Sequence, residues 1–301
     1  MYAGGMQRRL SPGAKVRMVA RRSSAALVLL VALAPGPGCS AGGGSKGGPG
    51  GVAGVGGAGG DTSGAGGRGA GGGGAAGSNP APAADIVIVL DRSGSMNDGI
   101  DGTTCTGGCG ASSKWTLLEG ELGRVLSATD TTVRWGLKLF ASNNACDVAA
   151  GVDVAPQLAS AAAIIGKLAL VSAASSTPTT AAVTTTASYL TALADGAPKY
   201  MVLITDGAPN CGSGPCAPAP GETMYQCDDA NAIAAVKQAH VELGIPTFVL
   251  AVGVGSDPGG TLTQLALEGG APRATDPFYY PVQSAADLSA AFLAIVALTA
   301  P

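Results

Sequence analysis

The chain has 301 residues, a formal net charge of −3 and 49 glycines, 21 of which fall in the 40 positions from 41 to 80. A segment that is half glycine loses too much backbone entropy on ordering and buries too little side chain, which excludes a single globular domain over the whole length. From Asp85 onward 9 Lys/Arg stand against 19 Asp/Glu, a balance of −10; this excludes the basic surface a nucleic-acid partner needs and suits cations or basic protein surfaces.

In chain order, residues 1–39 read as an export signal. Six basic residues (Arg8, Arg9, Lys15, Arg17, Arg21, Arg22) and no acidic ones precede Cys39. The apolar run 23–34, SSAALVLLVALA, is shorter than the ~20 residues of a spanning helix and has the length of a secretory core. Met18 offers an alternative start, because Val-Ala-Arg-Arg after it makes a conventional basic region. Pro35 to Gly38 break the run and lead into Cys39-Ser40, which resembles a bacterial lipoprotein signal, in which the cysteine takes the lipid and becomes the mature N-terminus. Gly36 stands where that signal normally carries Leu, so plain secretion is the alternative. Residues 40–84 form a linker, a flexible coil whose r.m.s. span is roughly 35–40 Å and which holds the following domain near a membrane.

Residues 85–301 hold one folded domain, in which short β-branched runs alternate with Ala/Leu-rich segments. The pattern predicts strands over 85–91, 133–140, 151–155, 199–205, 246–253 and 278–282, and helices over 114–128, 156–170, 179–194, 228–243, 259–268 and 284–298. Near-continuous apolar strands such as Ile86 to Leu90 and Met201 to Ile204 indicate burial on both faces. The fold class is therefore α/β: a Rossmann-like, doubly wound, mostly parallel central sheet with helices on both faces. The segment 141–150 is too short for a crossover helix, which makes the second and third strands an antiparallel pair at the sheet edge.

Seven cysteines are an odd number for an exported chain, and Cys39 accounts for the odd one. Cys105, Cys109, Cys146, Cys211, Cys216 and Cys227 remain, enough for three disulfides in an oxidising compartment with the pairing open. Three of them lie in the loop after the fourth strand, so at least one bridge crosses to another loop. Zinc ligation is the rival reading of the C-x3-C and C-x4-C spacings. All six sit on one face and form a disulfide-stapled rim there.

In an open α/β sheet the ligand site lies beyond the carboxyl ends of the central strands. The first strand ends in Asp91-Arg92-Ser93-Gly94-Ser95-Met96 and the fourth in Thr205-Asp206-Gly207. Alternation along an extended chain points Asp91, Ser93 and Ser95 the same way. Asp206 adds a second carboxylate if the first and fourth strands are neighbours, and the loop Ser176 to Thr180 adds a hydroxyl. All-oxygen ligation suits a hard cation, Mg²⁺, Mn²⁺ or Ca²⁺. The competing reading makes Ser93 and Ser95 a helix N-cap and Asp206 a turn residue. Arg92 and Met96 orient or pack the loop, Asp98 and Asp101 belong to a solvated acidic loop rather than a second cation site, and Thr184, Thr185, Thr186 and His240 lie on helix surfaces.

D-R-S-G-S-M after a buried strand, T-P-T ahead of a helix and L-I-T-D-G after the fourth strand together resemble the von Willebrand factor type A domain with its metal-ion-dependent adhesion site, over about 85–298. The resemblance implies that Ser93 and Ser95 coordinate the metal directly, with Thr177, the first Thr of T-P-T, as third hydroxyl ligand and Thr179 as the fallback. It implies that Asp91 and Asp206 hold the metal directly or through water. It further implies an open metal position that takes an acidic side chain of a partner protein. The expected function is thus a cation-dependent adhesion or interaction module, exported and lipid-anchored at the cell envelope. A structural subunit of an envelope complex is the alternative.

A hydrolase is the weaker reading. Ser93 stands where D-x-D phosphatases place their second Asp, one remote histidine offers no Ser-His-Asp set, no G-x-S-x-G elbow follows a strand, and no Walker-type motif is present.

Overall fold

The structure, a computed structural model, describes residues 82–142, 146–212, 228–257 and 260–300. The export signal, Cys39, the linker up to residue 81, Cys216 and Cys227 lie outside them.

A six-stranded sheet is built from β1 (Asp85–Asp91), β2 (Arg134–Phe140), β3 (Val154–Gln157), β4 (Lys199–Thr205), β5 (Thr247–Val252) and β6 (Tyr280–Val282), in the spatial order β3-β2-β1-β4-β5-β6. All pairs are parallel except β2–β3, the expected antiparallel edge. Around it run α1 (Lys114–Thr129), α2 (Ala161–Leu168), α3 (Thr179–Ala192), α4 (Asp229–Val241), α5 (Thr261–Glu268) and α6 (Ala285–Thr299). The fold is the doubly wound α/β arrangement that the apolar runs predict.

Period-two alternation in β1 divides the core. Ile86, Ile88 and Leu90 pack with Leu118, Leu122 and Leu126 of α1, Ile164 of α2 and Leu288, Phe292 and Ile295 of α6. Val87 and Val89 face the other way, onto Ala182, Val183 and Leu190 of α3, Val236 of α4 and Leu265 of α5. β1 is therefore buried over all seven residues, and the β-branched content that makes it a strand also fills both layers. Helix starts follow side-chain chemistry: the Ser113 hydroxyl accepts the Thr116 amide, and that of Ser284 accepts the Asp287 amide.

Boundaries shift most at the antiparallel edge. The predicted strand 151–155 is observed at Val154–Gln157, and the predicted helix from 156 begins only at Ala161. Pro156 is tolerated because this is an edge strand. The ladder between β2 and β3 is irregular between Trp135 and Leu137, and Gly136 there lets β3 approach so closely that a Cβ would stand 3.0 Å from the Val154 carbonyl oxygen. Ser160 then donates its hydroxyl hydrogen to the Trp135 carbonyl at 2.7 Å, fixing the turn that delays α2. Among the described residues no helix is long and apolar enough to cross a membrane.

Candidate metal centre

β1 and β4 are neighbours, and the connection after β1 runs back to β2 while that after β4 runs on to β5, so the two diverge to opposite sides at the switch point beside Asp91. Asp91 is fully buried. Its Oδ1 accepts the Ser93 amide at 2.7 Å and its Oδ2 accepts the Thr205 hydroxyl, across the β1–β4 boundary, at 2.7 Å. Ser93 occupies the N-cap position of a 3-10 turn, Gly94–Asn97, yet its side chain caps nothing. Its Oγ lies 3.1 Å from Ser95 Oγ, and Ser95 donates to Asp206 Oδ1 at 2.9 Å. The capping alternative for Ser93 is thereby set aside: the hydroxyl joins a polar chain that runs Ser93, Ser95, Asp206.

The second wall is the segment before α3. Arg92 O accepts the Ala174 amide at 2.7 Å, Ser175 O accepts the Gly94 amide at 3.0 Å, and Asn97 Nδ2 donates to Ala173 O at 2.7 Å, laying this segment against the D-x-S-x-S loop. Thr177 is clasped from β4's side: Asn210 Oδ1 accepts its amide at 2.6 Å, and its carbonyl accepts the Asn210 amide at 3.2 Å. Thr177 is buried, and Asn210 holds its backbone on both sides. Thr179, the fallback ligand, is fully buried at the start of α3, and among the described residues its Oγ1 is unpaired. Arg92 donates to Ala141 O and to Ser172 O, and Met96 is fully buried, so both orient and pack the loop as expected.

Burial, and after it the charge of Asp206, push the Asp91 carboxyl above the ordinary carboxylate range, against the pull of the Thr205 and Ser93 hydrogen bonds. The donor set of two carboxylates and three hydroxyls is oxygen only, which suits a hard divalent cation. The residues present fit such an ion: a buried carboxylate pair pressed by mutual repulsion, with buried Thr177 beside it and, among the described residues, an unpaired hydroxyl on Thr179 two residues on. Ser93, Ser95 and Thr177, with Asp91 and Asp206, would hold it. When bound, the cation would supply a Lewis-acidic position for an outside oxygen ligand.

Four neighbours of the site were not singled out from sequence. Thr205 anchors Asp91, although it lies within the T-D-G motif. Asn210 positions Thr177. Lys114, at the start of α1, places Nζ 2.8 Å from Asp206 Oδ2, with both side chains almost wholly buried. Gly253, just past the end of β5, has φ +65° and leaves the space that the lysine stem occupies: a Cβ there would stand 2.6 Å from Lys114 Cε. The one advance signal for Lys114 was a cation in the first turn of a helix, where the dipole disfavours it.

The cysteines close the rim. Cys105 pairs with Cys109 inside the loop after β1, and Cys146 pairs with Cys211, joining the loop after β2 to the loop after β4. These two pairings set aside zinc for those four thiols and supply the predicted cross-loop bridge. Asp101 Oδ1 accepts the Thr103 amide at 3.0 Å in an exposed turn, which agrees with a solvated loop. Two readings change. Thr186 is fully buried, donating to the Ala182 carbonyl at 2.8 Å, because the hydroxyl satisfies itself within the helix and its methyl can then pack. His240 is half-buried with Nδ1 3.3 Å from the Glu268 carbonyl, and its ring fills the space where Gly270, at φ +75°, has no side chain.

A mostly parallel sheet, wound on both faces, with an oxygen-only cluster at its switch point defines a class of α/β domain whose site sits beyond the strand ends. The family model of the von Willebrand factor type A domain matches residues 85–292, and the chain belongs to that family. Among solved structures, the pilus adhesin SpaC of Lactobacillus rhamnosus GG is similar at 18% identity and TM-score 0.53, over 73% of this chain and 31% of that one. The PilB minor pilin of Streptococcus sanguinis is similar at 19% identity and TM-score 0.53, over 72% of this chain and 61% of that one. This chain therefore spans less than two thirds of either protein, and the likeness is one of fold. No curated protein matches the chain.

Proposed function

We propose that the domain is a divalent-cation-dependent protein-binding module, not an enzyme. It holds Mg²⁺, or Mn²⁺ or Ca²⁺ in its place, with Ser93, Ser95, Thr177, Asp91 and Asp206, and takes an acidic side chain of a partner protein at the open position. The observation that carries this reading is the continuous polar chain from Ser93 through Ser95 to Asp206, set over buried Asp91 and beside buried Thr177. Three of the five donors are neutral, so a bound dication keeps enough net charge to attract a carboxylate. Membership of the von Willebrand factor type A family supports the reading, as does the adhesin-like fold of the pilus proteins. Lipid attachment at Cys39 would hold the module at the cell envelope.

The test is thermal unfolding in EDTA against millimolar Mg²⁺, Mn²⁺ or Ca²⁺. A cation that binds the folded state alone at 100 times its Kd adds about 2.7 kcal/mol, so a rise of several degrees is expected. The Ser93→Ala/Ser95→Ala double variant should keep its fold and lose the rise. An unmutated protein indifferent to all three cations would refute the site. For the anchor, Cys39→Ser should move the protein from the membrane fraction to the soluble one.

A further inference from the structure

Lys114 has no place in the donor set just described, yet its side chain is almost wholly buried against Asp206. Its amide donates to Asp98 O at 2.9 Å, which fixes the start of α1. Its stem crosses the carboxyl end of β5, where a Cβ on Gly253 would stand 2.6 Å from Cε and 3.2 Å from Cδ. Its Nζ meets Asp206 Oδ2 at 2.8 Å and Ser95 O at 3.5 Å, with 7% of the lysine side chain and 1% of the aspartate exposed. A lysine in the first turn of a helix works against the helix dipole, and a buried ammonium loses its hydration. Both costs are met here chiefly by the carboxylate that the cation reading assigns to the metal, with the Ser95 carbonyl a distant second acceptor.

We propose that Lys114 is a tethered competitor of the divalent cation. Resting on the cation reading above, it makes the ammonium the resident counter-charge of the metal-free site. Asp206 Oδ1 is held by Ser95 and Oδ2 by Lys114, so a cation drawing on Asp206 must loosen the ion pair or sit beside a second positive charge. Either way binding is weakened, and the site answers to a higher cation concentration than its donor set alone would require. The same ammonium keeps the carboxylate pair from standing unneutralised while the metal is absent.

The test is calorimetric titration of Mg²⁺ and of Mn²⁺ into the full chain and into Lys114→Met and Lys114→Gln variants, with melting in EDTA alongside. The variants should bind each cation at least tenfold more tightly and melt lower in EDTA. If the native chain binds and the variants bind equally or more weakly, the competition is wrong while the cation site stands. If neither native chain nor variants bind, the cation reading falls and the competition with it. If the variants alone bind, Lys114 is the resident cation and the native chain is not a metal protein at those concentrations. Should the variants fail to fold, ¹⁵N-lysine NMR of the native chain decides: the Lys114 Nζ resonance shifts as Mg²⁺ is added, and a resonance unmoved through saturation overturns the proposal.

Discussion

At the scale of single residues, Asp91 shows how a carboxylate is kept at the bottom of a site. Its Oδ2 depends on one hydroxyl, that of Thr205, at 2.7 Å. Thr205→Val keeps the shape and β-propensity of the side chain but leaves that oxygen unpaired, at a cost of about 1–3 kcal/mol. Chemical denaturation in EDTA should show that loss, and an unchanged midpoint would mean that Asp91 has another partner in solution. Asp91 and Ser93 were legible in the sequence because alternation along an extended chain is a local rule; Ser95 was picked out by the same rule but reaches that side through the 3-10 turn Gly94–Asn97 instead. Lys114, Gly253 and Asn210 were not, because each acts through a neighbour far along the chain that only the completed sheet brings near.

At the scale of elements, the site exists because β1 pairs with β4, which sets Asp91 beside Thr205 and Asp206. The strands were legible from their apolar runs, and the edge pair from the shortness of its connection. The start of α2 was not: Pro156 suits the first turn of a helix as well as an edge strand, and the deciding contacts, Gly136 against β3 and Ser160 on the Trp135 carbonyl, are tertiary. The bridge Cys146–Cys211, with a sequence separation of 65, adds about 4 kcal/mol by the loop-closure estimate. Cys211 adjoins Asn210, which clasps Thr177. Mild reduction should therefore weaken cation binding and open the loops to protease while the far-ultraviolet circular dichroism of the sheet persists. Unchanged cation affinity after complete reduction would show that the rim does not support the site.

At the scale of the whole domain, the two ends of the sheet carry opposite charge problems. At the amino end, Asp85 is fully buried, with Arg134 Nε at 3.1 Å and Lys199 Nζ at 3.6 Å, and neither of its oxygens receives a well-aligned hydrogen bond. Burial first, and then its neighbour Asp195, push this carboxyl up to about 6 despite the two cations. The folded state thus holds the Asp85 proton more tightly than the unfolded chain, whose value is about 4. Its contribution to stability is full below about pH 4 and is lost as pH rises to about 6. Asp195, held down chiefly by its hydrogen bond from Lys199, contributes in the opposite sense, with stability present above about pH 4 and lost in acid. The Tm of Asp85→Asn relative to the unmutated protein should therefore rise between about pH 4 and pH 6, and a difference independent of pH would contradict the assignment. At the carboxyl end, Asp91 and Asp206 are the carboxylates of the proposed cation site, and the domain's −10 charge from Asp85 onward favours a cation's approach. The most direct test of that central claim is anomalous diffraction at the manganese edge from crystals grown with Mn²⁺. The account predicts a single strong peak among the hydroxyls of Ser93, Ser95 and Thr177 and the carboxylates of Asp91 and Asp206. A map with no peak there would contradict it.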